Sequence, residues 1–368
     1  MPQARRHDRD RSRPTQQPAP QPPLQAALRQ CELDVLPGLE AIARSELHER
    51  IGALAGTPTE HEGTLRFGYR GNLGVLLALR SCIAAYQVLH FAVPRPKALL
   101  GHQHFTALVD AIDHVRSLHP PGTFATLRIN AAGDDSAVMN RLKDELAARL
   151  DLAVADEGDL LLRLRRAPGG WELLLRLSPR PLATRAWRVC NYPGAPNATL
   201  AYALARLSQP QGRDVIMNLC CGSGTLLAER LLLGTAQRAT GCDIDEAALR
   251  CAGENLAAAG LAGRAALERW DATATPLASA SVDVILADLP FGQLVGSHAT
   301  NLALYPRLVG EATRLAAPGA RMVLLTHELR LLERSLAGMA EYWQIENVVR
   351  VRSGGMTPGI FVLRRLAS

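Results

Sequence analysis

Apolar and polar residues follow one another in short blocks after residue 30, which predicts a succession of strands and helices. Glu32 to Leu36 alternates as a strand does, and Leu39 to Arg50 has the apolar spacing of a helix. Thr64 to Tyr69 alternates again. The longest apolar stretch, Leu73 to Val93, is interrupted by polar residues and predicts an amphipathic helix rather than a membrane span. This first block therefore predicts a small α+β domain.

A second block of helices and strands ends in a hairpin. Helical spacing over Phe105 to Ser117 and over Ser136 to Leu150 flanks a strand-like stretch, Thr126 to Ile129. Two further stretches, Leu160 to Arg166 and Trp171 to Leu177, are joined by a glycine pair, which predicts an antiparallel hairpin. We expect this block to form a second small α/β unit.

From Asn197 to the C-terminus, strands and helices alternate more regularly. Apolar runs at Val215 to Met217 and at Val282 to Ala287 each end in a turn. The chain closes with two strand-like stretches, Trp343 to Val351 and Gly359 to Arg364. This order predicts an α/β domain with a doubly wound, mostly parallel sheet and an antiparallel C-terminal hairpin.

Composition changes this picture mainly at the N-terminus. The 368 residues carry a formal charge of +6, but six arginines and only two aspartates precede residue 30. Residues 1–29 are also rich in proline and glutamine without an apolar period, which predicts a disordered basic tail. Such a tail is either a solvated extension or a phosphate contact, and it lacks the apolar segment of a secretory signal.

The cysteines favour a reducing compartment. There are seven of them, and no two have the Cys-x-x-Cys spacing of a metal or redox motif. An odd number without metal spacing predicts reduced thiols rather than a disulfide framework. We therefore expect a cytoplasmic protein that has no metal site and no membrane segment.

The hairpin of the second block and the segment after it are strongly basic. Seven arginines lie between residues 160 and 188, against a single glutamate. A local excess of this kind is typical of a phosphate contact, and the alternative is a solvated hairpin face. The candidate contacts for a nucleic-acid backbone are Arg163, Arg165, Arg166, Arg176, Arg185 and Arg188.

Candidate chemistry is concentrated at the ends of the strands predicted in the C-terminal block. Residues 218–225 contain a glycine turn between a strand and a helix, where backbone amides can approach a ligand. Acidic residues follow three further predicted strands, at Asp243, Asp271 and Asp288. Because the carboxyl ends of parallel strands meet at one edge of a sheet, we expect these groups to share one site.

The residues around the glycine turn discriminate among adenosine-bearing cofactors. A dinucleotide turn requires a third glycine where Leu227 stands, and a phosphate loop requires a lysine that is missing here. S-adenosylmethionine fits better, with Asp243 on the ribose hydroxyls and Asp271 on the adenine amine. The candidate cofactor-binding residues are Asn218, Cys220, Gly222, Ser223, Gly224, Thr225, Asp243, Ile244, Asp271, Ala272, Thr199 and Leu200.

Several motifs resemble those of the THUMP-containing RNA methyltransferases. They are Leu-Pro-Gly-Leu-Glu at 36–40, Arg-Pro-Leu at 180–182, Asn-Ala-Thr-Leu at 197–200 and Asp-Leu-Pro-Phe at 288–291. The resemblance implies a ferredoxin-like domain at 30–97, an RNA-binding THUMP domain at 98–182, and a linker helix with a Rossmann-like class I methyltransferase domain at 183–368. It also implies methylation of N2 of a guanosine in tRNA, at nucleotide 6 of the acceptor stem. We expect the protein to be a monomer.

The last of these motifs supplies the candidate catalytic residues, which are Asp288, Leu289, Pro290 and Phe291. The carboxylate of Asp288 and the carbonyl of Leu289 would accept the two hydrogens of the base amine. Pro290 would fix the backbone, and Phe291 would stack on the base after it leaves the helix. Two positions depart from the family pattern. Asn218 replaces an aspartate that pairs with the cofactor ammonium, and Leu289 replaces a proline of which only the carbonyl is needed.

Several alternatives remain open from the sequence. An adenine-N6 or cytosine-N4 methyltransferase would use the same loop, since those amines are conjugated to a ring as well. A ribosomal-RNA guanosine-N2 methyltransferase has the same motif spacing. A non-catalytic RNA-binding or chaperone module with a degenerate cofactor pocket is supported by Asn218 alone.

Overall fold

The computed structural model describes residues 28–52, 55–290 and 298–366. These residues form two β-sheets, one of eight strands in the N-terminal half and one of seven strands in the C-terminal half. The tail predicted at residues 1–29 lies outside the described residues except for its last two positions. Phe291 of the candidate catalytic motif lies outside them as well.

The first block of the chain has a split βαβ arrangement. Its elements are β1 (Arg29–Asp34), α1 (Glu40–Ile51), β2 (Ala55–His61), β3 (Thr64–Tyr69) and β4 (Ala84–Phe91). The strands lie in the order β2-β3-β1-β4, and each neighbouring pair is antiparallel. This arrangement is consistent with the ferredoxin-like domain expected at residues 30–97.

The helix predicted over Leu73 to Val93 is wrong. A short 3-10 helix covers Leu73–Ala78, and β4 follows it. Six of the eight residues of β4 are buried, including five in succession, so this strand is covered on both faces of the sheet. A strand covered on both faces has a continuous apolar run, which cannot be told from a buried helix by periodicity alone.

The second block continues the same sheet. After a 3-10 helix at Pro96–Leu100, its elements are α2 (His102–Arg116), β5 (Thr126–Ala131), α3 (Ala137–Leu150), β6 (Ala153–Val154), β7 (Leu160–Ala167) and β8 (Gly170–Arg176). The predicted hairpin is β7–β8. β8 pairs with β4, so the full order is β2-β3-β1-β4-β8-β7-β5-β6. The first two blocks are therefore joined through backbone hydrogen bonds within one sheet.

The C-terminal half is the predicted α/β domain. Its elements are α4 (Ala198–Leu207), β9 (Val215–Leu219), α5 (Thr225–Leu233), β10 (Arg238–Cys242), α6 (Glu246–Ala258), β11 (Ala266–Glu268), β12 (Val282–Asp288), α7 (His298–Leu315), β13 (Ala316–Thr326), α8 (Leu329–Ala337), β14 (Trp343–Arg350) and β15 (Gly359–Arg365). The strand order is β11-β10-β9-β12-β13-β15-β14. β15 is antiparallel to both neighbours and the other pairs are parallel, which confirms the predicted sheet.

The strand order of this sheet reverses between β9 and β12. β10 and β11 lie on one side of β9, whereas β12 and β13 lie on the other. Ligands of doubly wound sheets bind in the crevice outside the carboxyl ends of the strands at such a reversal. The turn after β9 and the loop after β12, which carry the candidate residues, both open at this place.

The Leu-Pro-Gly turn at residues 36–38 fastens the N-terminal half to the last hairpin of the C-terminal domain. The Arg352 N–H donates to the Pro37 carbonyl at 2.9 Å. Gly38 has a φ of 101°, and a Cβ there would lie 2.0 Å from the Arg350 carbonyl oxygen. Glycine is therefore required at this position both by its backbone angle and by the close approach of the hairpin.

The expectation that the cysteines are reduced thiols is wrong for one pair. Cys190 and Cys251 form a disulfide, with their Cα atoms 5.4 Å apart and a sequence separation of 61. The other five cysteines of the chain are free. Within the described ranges, each helix is too short or too polar to cross a bilayer.

Candidate active site

A cleft of about 430 Å³ opens at the carboxyl ends of β9, β10, β11 and β12. We call it the central cleft. Gly222 and Ser223 of the glycine turn line it, together with Asp243, Asp271 and Asp288. The structure therefore brings the turn and all three strand-end acids to one site, as the order of parallel strands predicts.

The glycine turn between β9 and α5 is held against the end of β10. The Cys221 N–H donates to the carbonyl of the last residue of β10 at 2.8 Å. Cys220, Gly222 and Gly224 have φ values of 50°, 52° and 71°. A Cβ on Gly222 would meet no atom within 4 Å, so glycine there serves the left-handed backbone. A Cβ on Gly224 would lie 3.0 Å from the Ala252 Cβ, so that glycine lets α5 begin close against α6.

Asp243 follows β10 and ties the turn to the strand end. Its Oδ2 accepts from the Gly222 N–H at 2.9 Å, and its Oδ1 accepts from the Asp245 N–H at 3.0 Å. The residue that caps α6 is Asp245, which accepts from the Ala247 N–H at 2.8 Å. Each carboxylate oxygen of Asp243 retains a second lone pair, so the group can still accept from hydroxyl donors in the cleft.

Asn218, near the end of β9, presents an acceptor to the central cleft. Its Nδ2 donates to the Leu219 carbonyl at 3.2 Å and to the Leu286 carbonyl at 3.1 Å. Both partners are pure acceptors, so the orientation of the amide is fixed. Asn218 lines the cleft, and its Oδ1 is buried and has no hydrogen-bond partner. Asparagine here therefore keeps an acceptor for an ammonium group while it bridges β9 and β12.

Asp288 ends β12 with an unpartnered carboxylate oxygen. The residue as a whole is half-buried, whereas its Oδ1 is inaccessible and has no hydrogen-bond partner. Desolvation by burial raises the pKa of Asp288 to about 7. A carboxyl group with this pKa in a cleft can accept a proton near neutral pH, which is the property of a general base.

The backbone after Asp288 is fixed by neighbouring elements. The Leu289 N–H donates to the Leu325 carbonyl at 2.9 Å. The Pro290 carbonyl accepts from the Asn301 Nδ2 and from the Tyr305 hydroxyl, at 2.8 Å each. These contacts hold the chain on both sides of the Leu289 carbonyl. Phe291 lies outside the described residues, and its stacking role stays a prediction.

The other residues of the predicted cofactor set that line the cleft are Cys220, Ile244, Asp271 and Ala272. The Asp271 Oδ1 accepts from the Thr273 N–H and from its hydroxyl, at 2.8 Å each, and these bonds lower the pKa of Asp271. Ile244 is 68% exposed, the largest exposure of any large apolar side chain in the described residues. An apolar side chain beside Asp243 in a ligand cleft offers a surface that a planar base can cover.

Residues 192–196, which sequence reasoning missed, also line the cleft. The Tyr192 hydroxyl donates to the Asp245 carboxylate, which fastens this segment across the mouth of the turn. The composition Tyr-Pro-Gly-Ala-Pro was a signal for an irregular segment. It contained no signal for where that segment lies, because its position depends on contacts with α6.

Those contacts converge on Cys190, which precedes the segment. The disulfide joins Cys190 to Cys251 on α6. One turn further along α6, Asn255 accepts from the Cys190 N–H at 2.9 Å and donates to the Cys190 carbonyl at 3.0 Å. Its Nδ2 also donates to the Ser223 carbonyl at 3.0 Å. One buried side chain therefore joins the segment to the glycine turn.

Four residues of the predicted cofactor set are not brought into the cleft. Thr199 and Leu200 are buried on α4, where the Thr199 hydroxyl donates to the Cys82 carbonyl at 3.4 Å in the N-terminal half. Gly224 and Thr225 begin α5 behind the turn and are likewise outside the lining. These positions support the site from its back rather than contact a ligand.

The basic excess predicted in the β7–β8 hairpin is offset by acids from other strands. Arg163 Nη1 lies 2.7 Å from Asp34 Oδ2. Arg165 donates to Glu32 Oε1 at 2.9 Å and to Glu172 Oε2 at 3.0 Å. Glu32 and Asp34 belong to β1, which lies two strands from β8 in the sheet. These two arginines are therefore engaged within the protein, which corrects the charge estimate made from the hairpin alone.

Arg176 and Arg185 are buried, which corrects their assignment as contacts for RNA. Arg176 Nε donates to the Ser178 carbonyl at 2.8 Å. Arg185 Nε pairs with Glu229 Oε1 at 2.8 Å. A guanidinium enclosed in this way cannot reach a phosphate group. Both residues act as structural cations instead.

The last two arginines of the predicted set differ from each other. Arg188 is half-buried, and its Nη1 donates to the Pro196 carbonyl at 3.1 Å, so it supports the wall of the cleft. Arg166 is exposed at the end of β7. Arg165 is exposed as well, but Glu32 and Glu172 engage it, so Arg166 best fits the predicted phosphate contact.

Residues 185–358 match the family model described as RMKL-like, methyltransferase domain. Among curated proteins, a mouse protein named tRNA (guanine(6)-N(2))-methyltransferase THUMP3 is 33% identical over 184 residues, which are 46% of this chain and 36% of the mouse protein. A Thermus thermophilus protein named tRNA (guanine(6)-N2)-methyltransferase is 34% identical over 209 residues, which are 56% of this chain and 61% of that protein. The chain thus spans little more than a third of the mouse relative.

Solved structures show the same fold over most of the chain. TrmN from Thermus thermophilus has a TM-score of 0.72 and 24% identity, and the superposition covers 92% of this chain and 100% of TrmN. SMU.472, solved in complex with SAH, has a TM-score of 0.67 and 14% identity and covers 91% of this chain and 97% of its own. At these identities the likeness concerns the fold.

S-adenosylmethionine is the cofactor of the class I methyltransferase fold, and the central cleft fits it. Asn218 Oδ1 is an unpartnered acceptor suited to an ammonium, Asp243 retains acceptors for hydroxyls, and Ile244 is an exposed apolar surface. Within the described ranges, no group of three or more His, Cys, Asp or Glu side chains is arranged to hold a metal. Residues 185–358 are therefore similar to the methyltransferase domain that this family model describes.

Proposed function

We propose that the chain is an S-adenosylmethionine-dependent RNA methyltransferase that modifies the exocyclic N2 of a guanosine in tRNA, at the sixth nucleotide of the acceptor stem. Two relatives that match about half of the chain are named for this reaction. The Asp-Leu-Pro motif at the end of β12 is consistent with methyl transfer to a base amine. The separate sheet of the N-terminal half is consistent with the expected RNA-binding domain.

The observation that carries this proposal is the unpartnered Oδ1 of Asp288. A buried carboxylate oxygen without a partner is costly unless a ligand supplies a donor. Asp288 shares the central cleft with Asn218 and Asp243, so a donor bound to it would share the cleft with a cofactor that these residues hold. An amine on a nucleic-acid base meets that description.

The residues at the end of β12 would make the amine reactive. An exocyclic amine is a poor nucleophile, because its lone pair is delocalised into the ring. When it is bound, S-adenosylmethionine supplies an electrophilic methyl group. Asp288 Oδ1 and the Leu289 carbonyl each accept one hydrogen of the amine, which orients the nitrogen lone pair toward the methyl donor. Asp288 then takes the proton that the nitrogen releases.

Cofactor binding is assigned to separate residues of the same cleft. Asn218 Oδ1 accepts from the ammonium, and the carboxylate of Asp243 accepts from the ribose hydroxyls. Asp271 and Ile244 contact the adenine, the first through its Oδ2, which lies 3.8 Å from Arg307 Nη2, and the second through its side chain. Because Asp288 contacts the base and not the cofactor in this assignment, its loss should spare cofactor binding.

Labelled S-adenosylmethionine and total RNA test the proposal directly. We expect label in tRNA and N2-methylguanosine after digestion to nucleosides. Asp288→Ala should lose this transfer and still bind S-adenosylmethionine in calorimetry, whereas Glu341→Ala, at an exposed position after α8, should retain both. Labelled N6-methyladenosine or N4-methylcytidine would overturn the proposed reaction, and so would the absence of transfer.

The RNA that gains label decides the substrate. One relative, from Bos taurus, is named U6 snRNA (guanine-N(2))-methyltransferase THUMPD2 and is 33% identical over 150 residues, 40% of this chain and 28% of its own length. Label in a small nuclear or ribosomal RNA would keep the guanosine chemistry and contradict the tRNA assignment.

A further inference from the structure

A third unpartnered oxygen lies in the central cleft, on the first turn of α7. Asn301 is fully buried, lines the cleft, and has an Oδ1 without a hydrogen-bond partner. It is not part of any motif in the sequence. Asn218 and Asp288 supply the other two unpartnered oxygens of this cleft. Since buried polar groups are almost always paired, each of the three points to a ligand donor.

The orientation of the Asn301 amide is fixed by its other contacts. Its Nδ2 donates to the Pro290 carbonyl at 2.8 Å and to Glu328 Oε1 at 2.5 Å. Both partners are acceptors, so exchanging the nitrogen and oxygen would oppose oxygen to oxygen twice. The Oδ1 is consequently the atom left for a ligand. The Nδ2 bond ties Asn301 to Pro290, which is two residues after Asp288 in the sequence. Asn301, Leu289 and Asp288 all line the central cleft.

The edge of guanine that carries N2 presents three donors in a row. The amine has two hydrogens and the adjacent ring nitrogen N1 has one. Asp288 Oδ1 and the Leu289 carbonyl use the two amine hydrogens in the proposed function, and Asn301 Oδ1 is an acceptor that remains. Adenine and cytosine present an amine next to a ring nitrogen that accepts, which would place a lone pair against the Asn301 oxygen.

We propose that Asn301 determines the base specificity of the cleft, with its Oδ1 accepting from N1–H of the guanine whose N2 amine is held by Asp288 and Leu289. This inference rests on the proposed function and extends it to the choice of base. It assigns a chemical reason for guanine rather than adenine or cytosine, which the Asp-Leu-Pro motif alone does not provide. Asn301 is a specificity-determining residue and takes no part in proton transfer.

The test compares two RNA substrates that differ at the target base alone, one with guanosine and one with 2-aminopurine riboside. 2-Aminopurine keeps the N2 amine but its N1 is an acceptor. For the unaltered protein we expect kcat/KM to be about 10- to 100-fold lower on 2-aminopurine, the range for leaving a buried polar group unpaired. In Asn301→Leu this ratio should fall to near one, because neither base finds the acceptor.

Tyr305→Phe is the matched control. It removes the other hydrogen bond to the Pro290 carbonyl and leaves the Asn301 oxygen in place. We expect kcat to fall on both substrates by the same factor, with the preference for guanosine retained. A loss of preference in Tyr305→Phe as large as in Asn301→Leu would show that loop position rather than the amide oxygen sets the ratio, and would overturn the inference.

The unaltered protein provides a test that does not depend on any variant folding. Equal kcat/KM on guanosine and 2-aminopurine substrates overturns the role of Asn301 while N2-methylation itself persists. If nucleoside analysis detects no N2-methylguanosine at all, the proposed function has failed, and the inference fails with it. The two failures are distinguished by the product.

Discussion

At the scale of single residues, Asp288 makes the proposed reaction depend on pH. Its carboxylate must be ionised to accept from the amine, and burial raises its pKa to about 7. We predict that kcat/KM falls about tenfold per pH unit below roughly pH 7 and is level above it, because protonation converts the acceptor into a donor. Methyl transfer to an RNA substrate, measured from pH 5.5 to 8.5, checks this.

The control for that profile is Asp288→Asn, which keeps an acceptor oxygen and cannot ionise. It should retain some transfer and lose the acidic limb. Without cofactor, Asp288→Asn should also be more stable than the unaltered protein above about pH 4. A carboxyl group whose folded pKa is raised destabilises the fold once the unfolded state is ionised. The gain in stability should therefore vanish as the pH falls below the unfolded pKa. An unchanged acidic limb in Asp288→Asn would assign the limb to another group.

Asn218 leads to a second prediction, in which the aspartate of the family pattern is the less stable residue at this position. Restoring an aspartate would add a charge for the cofactor ammonium but would place carboxylate oxygen against the carbonyls of Leu219 and Leu286. We predict that Asn218→Asp lowers the free energy of unfolding by ~1–3 kcal/mol. Urea denaturation measures it. Asn347→Asp, on exposed strand β14, should change it by less than about 0.5 kcal/mol, and an equal loss in both variants would contradict this account.

The sequence was sufficient to predict the residues whose position follows from strand order. Asp243, Asp271 and Asp288 share a cleft because parallel strands bring their carboxyl ends to one edge. The prediction that the hairpin arginines contact phosphate failed because their acidic partners lie far away in the sequence. Arg163 and Asp34 are 129 positions apart, and only the pairing of strands from both blocks in one sheet brings the acid to the cation. Such charge partners cannot be deduced from a local count.

At the scale of elements, the wall formed by residues 192–196 depends on its anchor to α6. We predict that reducing the Cys190–Cys251 disulfide weakens S-adenosylmethionine binding by about 2- to 10-fold, the cost of reordering one or two side chains on binding. Calorimetry with and without reductant measures this. Reductant should have no effect on Cys190→Ser, which should bind as the reduced protein does. A full-affinity Cys190→Ser would show that Asn255 alone holds the wall.

The error over Leu73 to Val93 also belongs to this scale. Periodicity distinguishes a half-exposed helix from a half-exposed strand, but β4 is buried on both faces. What decides its structure is its position between β1 and β8, with which it forms two antiparallel ladders. Neither neighbour is adjacent to β4 in the chain, so the information lies in the sheet and not in the segment.

At the scale of the whole molecule, the two halves are joined by a buried ionic cluster. Glu229 on α5, behind the glycine turn, pairs with Arg185 at 2.8 Å and with Arg80 of the N-terminal half at 2.5 Å. Arg185 Nη2 also donates to the Arg80 carbonyl at 2.7 Å. Burial raises the pKa of Glu229 despite both cations. The helix that carries the glycine turn is therefore held by residues of both halves.

Removing the acid from this cluster leaves the buried Arg185 and the partly buried Arg80 without their shared carboxylate. We predict that Glu229→Ala lowers the free energy of unfolding by ~3–5 kcal/mol, the range for breaking a buried ion pair on one side. Chemical denaturation followed in both halves measures it. Glu60→Ala, which breaks a largely exposed pair with Arg44, should cost less than about 1 kcal/mol. A similar small loss in Glu229→Ala would mean that the cluster does not couple the halves, and that the methyltransferase domain keeps its stability independently.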